Sequence, residues 1–260
     1  MIRAYGNAPY RVALLHGGPG APGTLAPLAR RLSRFGGVLE HLQTQYDLPS
    51  LLHNISEELS PFGPVVVAGH SWGAWLGLWT AALFPAQVHR LILIGSAPLT
   101  DAYVPQITQR RLANLSSSKA NRMATALAML ENGNSQQRQT AMAALPTLLA
   151  QSDAYQTAPE AVMPGDLWPE DEAAYANLWP LAASLRTQGA LLQSALSVHC
   201  PIDIIHGACD PHPAEGVYTP LQKIGVPFTL HLLSRCGHTP FTERYAQDDF
   251  YQLMRMLCFA

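Results

Sequence analysis

Ser71, Asp210 and His238 each stand just past the end of a strand-like apolar run, and those three residue types together can perform nucleophilic catalysis. The run Val65-Val66-Val67-Ala68 leads into Gly69-His70-Ser71-Trp72-Gly73, a G-x-S-x-G pattern, and then into a helical pattern. Glycines flank the serine because a strand that reverses into a helix within a few residues leaves no room for side chains beside the turn. The hydroxyl is lifted to the tip of that turn. The amide of Trp72, at the helix N-terminus, points where an oxyanion would form. A serine hydroxyl is protonated at neutral pH, so a general base must take its proton and later return it to the leaving group. His238 fits that role, and Asp210 fits the role of the acid that fixes the imidazole tautomer.

Two more segments complete the set. Tyr10 to Leu15 is a strand-like run that opens into His16-Gly17-Gly18-Pro19-Gly20, a loop whose Gly18 amide can supply a second oxyanion donor. Ile202 to Gly207 is a buried-strand pattern with Asp210 just beyond it, and Phe228 to Leu233 leads to Cys236-Gly237-His238-Thr239-Pro240. Competing readings attach to several of these residues. Ser71 could be a turn serine and His238 a surface histidine, while His16 and His70 read as structural parts of their turns. Asp101, shortly after the strand Leu91 to Ile94, competes with Asp210 for the acid. His206, Cys209, Asp210, His212, Cys236 and His238 are zinc-type ligands close in sequence, but their spacing matches no closed zinc pattern, and the expected metal set is none.

The order nucleophile, acid, histidine, each on a loop after a strand, resembles the α/β-hydrolase superfamily. His16-Gly17-Gly18-Pro19-Gly20 paired with Gly69-His70-Ser71-Trp72-Gly73 is similar to its proline iminopeptidase-like branch, whose members show HGGPG and a tryptophan after the serine. The resemblance implies an α/β fold with a mostly parallel sheet, helices on both faces, no cofactor, and a helical cap. It implies a core of residues 1–98 and 199–260, and a cap of 99–198 inserted between the strand the superfamily counts as sixth and the acid-bearing strand. Iminopeptidases of this branch hold the substrate ammonium with acidic cap residues, for which Asp153, Glu160, Asp166, Glu170, Asp171 and Glu172 are available. Glu170-Asp171-Glu172 also reads as an ordinary solvated helix start.

The elements that must position these groups alternate. Gly23–Arg34, Leu48–Leu59 and Trp72–Leu83 read as helices, and Val38–Leu42, Pro64–Ala68 and Val88–Ile94 as strands, which predicts a parallel sheet covered on both faces. Only fifteen residues precede His16, so a reduced sheet is expected, with at most one short hairpin partner around Ile2 to Tyr5. From about Leu99 to Ser197 alanine, leucine and glutamine dominate, with helical stretches at Gln106–Asn114, Ser118–Glu131, Gln136–Leu149 and Leu181–Leu196, and breaks near Pro159, Pro164, Pro169 and Pro180. This stretch is expected to roof the serine and set specificity without touching the catalytic groups. Trp168 and Trp179 are its candidate pocket residues, whereas Trp75 and Trp79, one turn apart after the nucleophile, read as packing.

Composition narrows the partners. A net charge of −2 with 13% charged residues leaves no basic footprint for nucleic acid, and 48% hydrophobic residues over 260 can furnish a large core. No window reaches the roughly 18 apolar residues of a membrane span, and the start lacks the apolar core of a signal peptide. A cytoplasmic protein acting on a small molecule is expected, with the sequons at Asn54 and Asn114 coincidental and the four cysteines reduced. Cys209 and Cys236 flank the acid and the histidine, and read as small thiols ahead of a redox pair. The expected activity is a cofactor-independent serine hydrolase of small esters or amides. Alternatives are an aminopeptidase, a cofactor-free haloperoxidase or lyase on the same frame, and a non-catalytic binding homologue. Sequence leaves the oligomeric state open.

Overall fold

A computed structural model describes residues 1–158, 166 and 172–260, apart from the side chains of Glu172 and Tyr175. In chain order the elements are β1 (Ile2–Tyr5), β2 (Tyr10–Leu15), α1 (Ala26–Leu32), β3 (Gly37–His41), α2 (Leu48–Leu59), β4 (Val65–His70), α3 (Trp72–Leu83) and β5 (Val88–Ile94). There follow α4 (Val104–Ala113), α5 (Ser117–Asn132), α6 (Ser135–Asp153), α7 (Glu172–Thr187) and α8 (Ala190–Ala195). The chain closes with β6 (Ile202–Gly207), α9 (Glu215–Lys223), β7 (Thr229–Leu233) and α10 (Gln247–Phe259). The seven strands form one sheet in the order β1-β3-β2-β4-β5-β6-β7, parallel except for β1. This is the α/β-hydrolase fold that the sequence predicts.

Local chemistry explains the elements that flank the site. The β-branched run Val65-Val66-Val67 has both faces covered, so β4 is buried throughout and reads as a continuous apolar strand. Asp47 caps α2 by accepting from the Ser50 amide at 2.8 Å, and Asn134 and Gln137 form a reciprocal capping box at the start of α6. α3 is buried along most of its length, and Trp72, Trp75 and Trp79 meet edge to face at 6.1 to 6.4 Å, each contact contributing about 1 kcal/mol beyond burial. One core cluster lies on the α2, α3 and α9 face of the sheet, and a second on the α1 and α10 face. Within the insertion, α5 and α6 keep a small cluster of their own around Met123, Ala141 and Leu145. Leu178 of α7 and Leu191 of α8 instead join the main core.

Two expectations need correction. β1 is not a hairpin partner of β2: it runs antiparallel to β3, with Ile2 opposite His41, because β2 already has β3 on one side and β4 on the other. Nor does the helix break at Pro180. α7 runs through it, since one missing N–H costs a single ladder bond, and the chain turns instead at Gly189, whose φ of +77° suits the left-handed end of a helix. Among the described residues no helix is long and apolar enough to cross a membrane.

Candidate active site

Ser71 stands at the junction of β4 and α3 with φ +54° and ψ −115°, a strained conformation for a residue with a side chain, costing on the order of 1–3 kcal/mol. The surroundings hold it there. Its amide donates to Ile94 O at 2.9 Å, and the helix begins with Ala74 N bonding Ser71 O at 3.1 Å. A Cβ at residue 69 would lie 2.0 Å from Gly73 O, and one at residue 73 would lie 2.0 Å from Leu15 O, so both glycines are demanded by backbone approach. Gly17 of the neighbouring loop packs against the same corner, where an added Cβ would sit 3.2 Å from Ser71 Cβ. Gly18 follows with φ +50°.

Asp210 lies beyond β6 and His238 beyond β7, both buried. The His238 Nδ1–H donates to Asp210 Oδ2 at 2.8 Å, which leaves Nε2 as the free lone pair. Asp210 has other donors: the His212 amide at 2.8 Å and His212 Nδ1 at 3.0 Å on Oδ1, with His206 Nε2 3.2 Å from Oδ2. Burial alone would raise the Asp210 pKa, but the charges and hydrogen bonds of His238, His212 and His206 win and hold it well below the ordinary carboxylate range. Burial would likewise neutralise His238, yet the Asp210 carboxylate raises its pKa above the ordinary 6.5. The rings of His212 and His238 stack at 4.2 Å. His70, next in chain to Ser71, bonds the carbonyl of His238 through Nε2 at 2.9 Å and holds the histidine loop against the elbow.

The structure thus brings Ser71, Trp72, Gly17 and Gly18 to one corner and couples Asp210 to His238. Asp101 lies elsewhere, bonded to Arg186 and to Thr187 Oγ1 at 2.6 Å, with nearly half its side chain exposed. Of the zinc-type set, Asp210, His212 and His238 have ligand atoms within 4.8 Å of one another, but those atoms already satisfy each other by hydrogen bonds. The Cys209 amide bonds Cys236 O at 2.8 Å; the two thiols are not joined in a disulfide, and that of Cys236 donates to Gly237 O at 3.5 Å. Trp75 and Trp79 are buried, and Trp179 lies on α7, more than a third exposed. Trp168, Glu160, Glu170 and Asp171 lie outside the described residues, as does the Glu172 side chain. Asp153 is paired with Arg111 at 2.6 Å and Asp166 with Arg30 at 2.8 Å.

Sequence reasoning gave Glu243 no role. It is buried and accepts from the amides of Tyr155 at 2.7 Å, Gln156 at 2.8 Å and Gly237 at 3.0 Å. Nothing around Glu243 marks that role in a single sequence, because all three partners are backbone amides and two of them lie nearly ninety positions away. His212 had a visible signal, lying two residues past Asp210, where a side chain and its own amide can both reach the carboxylate.

Residues 41–245 match the model of a family described as the alpha/beta hydrolase fold. No curated protein sequence matches the chain. Among solved structures, VinJ superposes with a TM-score of 0.69 at 18% identity, covering 98% of this chain and 93% of the other. E-2-(acetamidomethylene)succinate hydrolase gives 0.61 at 17%, with the same coverage of 98% and 93%. Proline iminopeptidase from Mycobacterium smegmatis gives 0.62 at 14%, again over 98% and 93%.

Proposed function

The chain belongs to the alpha/beta hydrolase fold family, and we propose that it is a serine hydrolase of small-molecule esters or amides. The observation that carries this reading is the buried 2.8 Å bond from His238 Nδ1 to Asp210, on a loop fastened through His70 to the strained Ser71 elbow. Ser71 Oγ attacks the carbonyl carbon as His238 Nε2 takes its proton. The amides of Gly18 and Trp72 bind the oxyanion, and His238 returns the proton to the departing alcohol or amine. Water, activated by the same imidazole, then hydrolyses the acyl-Ser71 ester. Trp168 and Trp179 are proposed to line the acyl pocket.

Ester cleavage stands ahead of aminopeptidase cleavage. Asp153 and Asp166, two of the acids that could hold a substrate ammonium, are already in ion pairs with Arg111 and Arg30. The test is labelling of Ser71 by a fluorophosphonate, followed by p-nitrophenyl esters of increasing chain length and aminoacyl amides that include prolyl amide. Ser71→Ala should abolish labelling and turnover with the fold intact. Asp210→Asn should cut kcat by about three to four orders of magnitude, and Asp101→Asn far less. Near-normal turnover by Ser71→Ala, or a larger loss from Asp101→Asn, would overturn the assignment.

A further inference from the structure

We propose that Gln43 is a positioning residue that sets the two oxyanion donors relative to one another, an inference that rests on the reading of Gly18 and Trp72 as those donors. Gln43 lies just past β3 and is buried, with 3% of its surface exposed. Its side chain uses both ends. Nε2 donates to His16 O at 3.1 Å, in the loop that carries Gly18, and Oε1 accepts from the indole Nε1 of Trp72 at 3.0 Å. Its backbone amide donates to His16 Nε2 at 3.2 Å. One side chain therefore spans the carboxyl ends of three adjacent strands, β3, β2 and β4, and links the two segments that flank the serine corner.

The polarity of the link is fixed. A carbonyl on one side and an indole N–H on the other admit a single amide orientation, so the glutamine cannot flip without losing both bonds. The imidazole of His16 agrees with this. It is fully buried and neutral, Nδ1 bonds Gly17 O at 3.0 Å as donor, and Nε2 is left to accept from Gln43. Every polar atom at the base of the loop then has a defined role. A cavity or a charge at position 43 would free His16 and Trp72 to shift separately. Oxyanion stabilisation depends on donors lying 2.7–3.1 Å from where the charge develops, so such a shift acts on the transition state more than on substrate binding.

The experiment compares Gln43→Met, which keeps the volume and loses both bonds, with Gln43→Glu, which keeps the acceptor and loses the donor. Trp72→Phe, which removes the indole N–H, and the Gln43→Met/Trp72→Phe double variant complete the set. Steady-state kinetics on one p-nitrophenyl ester are read beside fluorophosphonate labelling and thermal midpoints. Gln43→Met should lower kcat about 10- to 100-fold with KM within about threefold, less than the roughly 100- to 1000-fold that deleting a donor outright costs, because the donors are displaced and not removed. Trp72→Phe should lower kcat less, and the double variant should cost little more than Gln43→Met alone, because both break the same link. Unchanged kcat, a rise in KM with kcat intact, or multiplying losses in the double variant would overturn the proposal. Should Gln43→Met fail to fold, Trp72→Phe and Gln43→Glu decide by the same kcat and KM criterion. Absence of Ser71 labelling in the unaltered protein is a separate outcome, which would remove the serine hydrolase reading and the positioning role with it.

Discussion

His238 has to stay basic in a place that opposes its charge. Burial favours neutral imidazole, and the Asp210 carboxylate more than offsets it, so the histidine titrates above 6.5. Catalysis needs the neutral form, and kcat/KM should therefore fall as pH drops through a midpoint above 6.5. His212 modulates that value. Its own pKa is lowered to about 4, by burial first and the nearby His238 charge second, so at working pH it is a neutral donor that draws on the Asp210 charge. In His212→Phe the stack survives and the ring donor goes, so the acid limb should move to higher pH with kcat changed little. His212→Ala also removes the stack and should cost about tenfold in kcat, because His238 loses a ring contact that fixes its plane. A pH–rate profile for the two variants checks this, and an acid limb that does not move in His212→Phe would count against it. At this scale Ser71, Asp210 and His238 were legible because each interrupts a strand pattern with a turn. His212 was legible by its place two residues past Asp210, whereas Gln43 was not, because its contacts to His16 and Trp72 come from register between strands.

Elements tie the insertion to the histidine loop more closely than the sequence suggests. The sequence reading keeps the cap off the catalytic groups, yet the amide of His238 donates to Asp153 O at 2.7 Å, at the end of α6. Glu243 gathers the amides of Tyr155, Gln156 and Gly237, and Thr157 pairs with Glu243 as an antiparallel bridge. The exit of α6 is thus fastened to the loop that carries the histidine. Hydrogen bonds to a buried carboxylate are the strong kind, so Glu243→Gln, whose NH₂ would face backbone donors, should destabilise the protein by about 1–3 kcal/mol. It should also lower kcat, since His238 moves with that loop. Urea unfolding beside steady-state kinetics tests both effects; a change under about 0.5 kcal/mol with unaltered kcat would make the staple incidental. Elements whose own residues decide them were legible end to end: α2 by its Asp47 cap, α3 by its apolar length, β5 by its apolar run Leu91 to Ile94. β1 was misplaced because its partner is settled by which sheet edge is free, and α7 because Pro180 reads locally as a stop while packing keeps the helix going.

Across the whole molecule, burial turns histidines into a reservoir of acid sensitivity. Burial lowers the pKa of His16, His41 and His212 to about 4 and of His70 to about 3, so all four are neutral in the folded protein through the mildly acidic range. In the unfolded chain they titrate near 6.5. Stability from these groups is fully present above 6.5 and is lost as pH falls toward their folded values, because unfolding then takes up a proton at each. His238 is shifted the other way, so its contribution changes above 6.5 and adds no slope below it. Asp210, held low, adds a slope of the same sign as the four histidines only near and below pH 4. Between about pH 6 and 4.5 the unfolding free energy should fall by roughly 5 kcal/mol per pH unit, about 1.4 for each of four protons. Against a typical stability of roughly 5–15 kcal/mol, this slope should remove a large share of the folding free energy within about two units below pH 6.5. Urea titrations at half-unit steps give the slope directly. His41→Gln should reduce it by about one proton, since the amide keeps the donor to Asn54 and does not titrate. A measured uptake of one proton or fewer at pH 5 would mean that these histidines find water or charge partners in the folded state, and the buried neutral cluster would have to be abandoned.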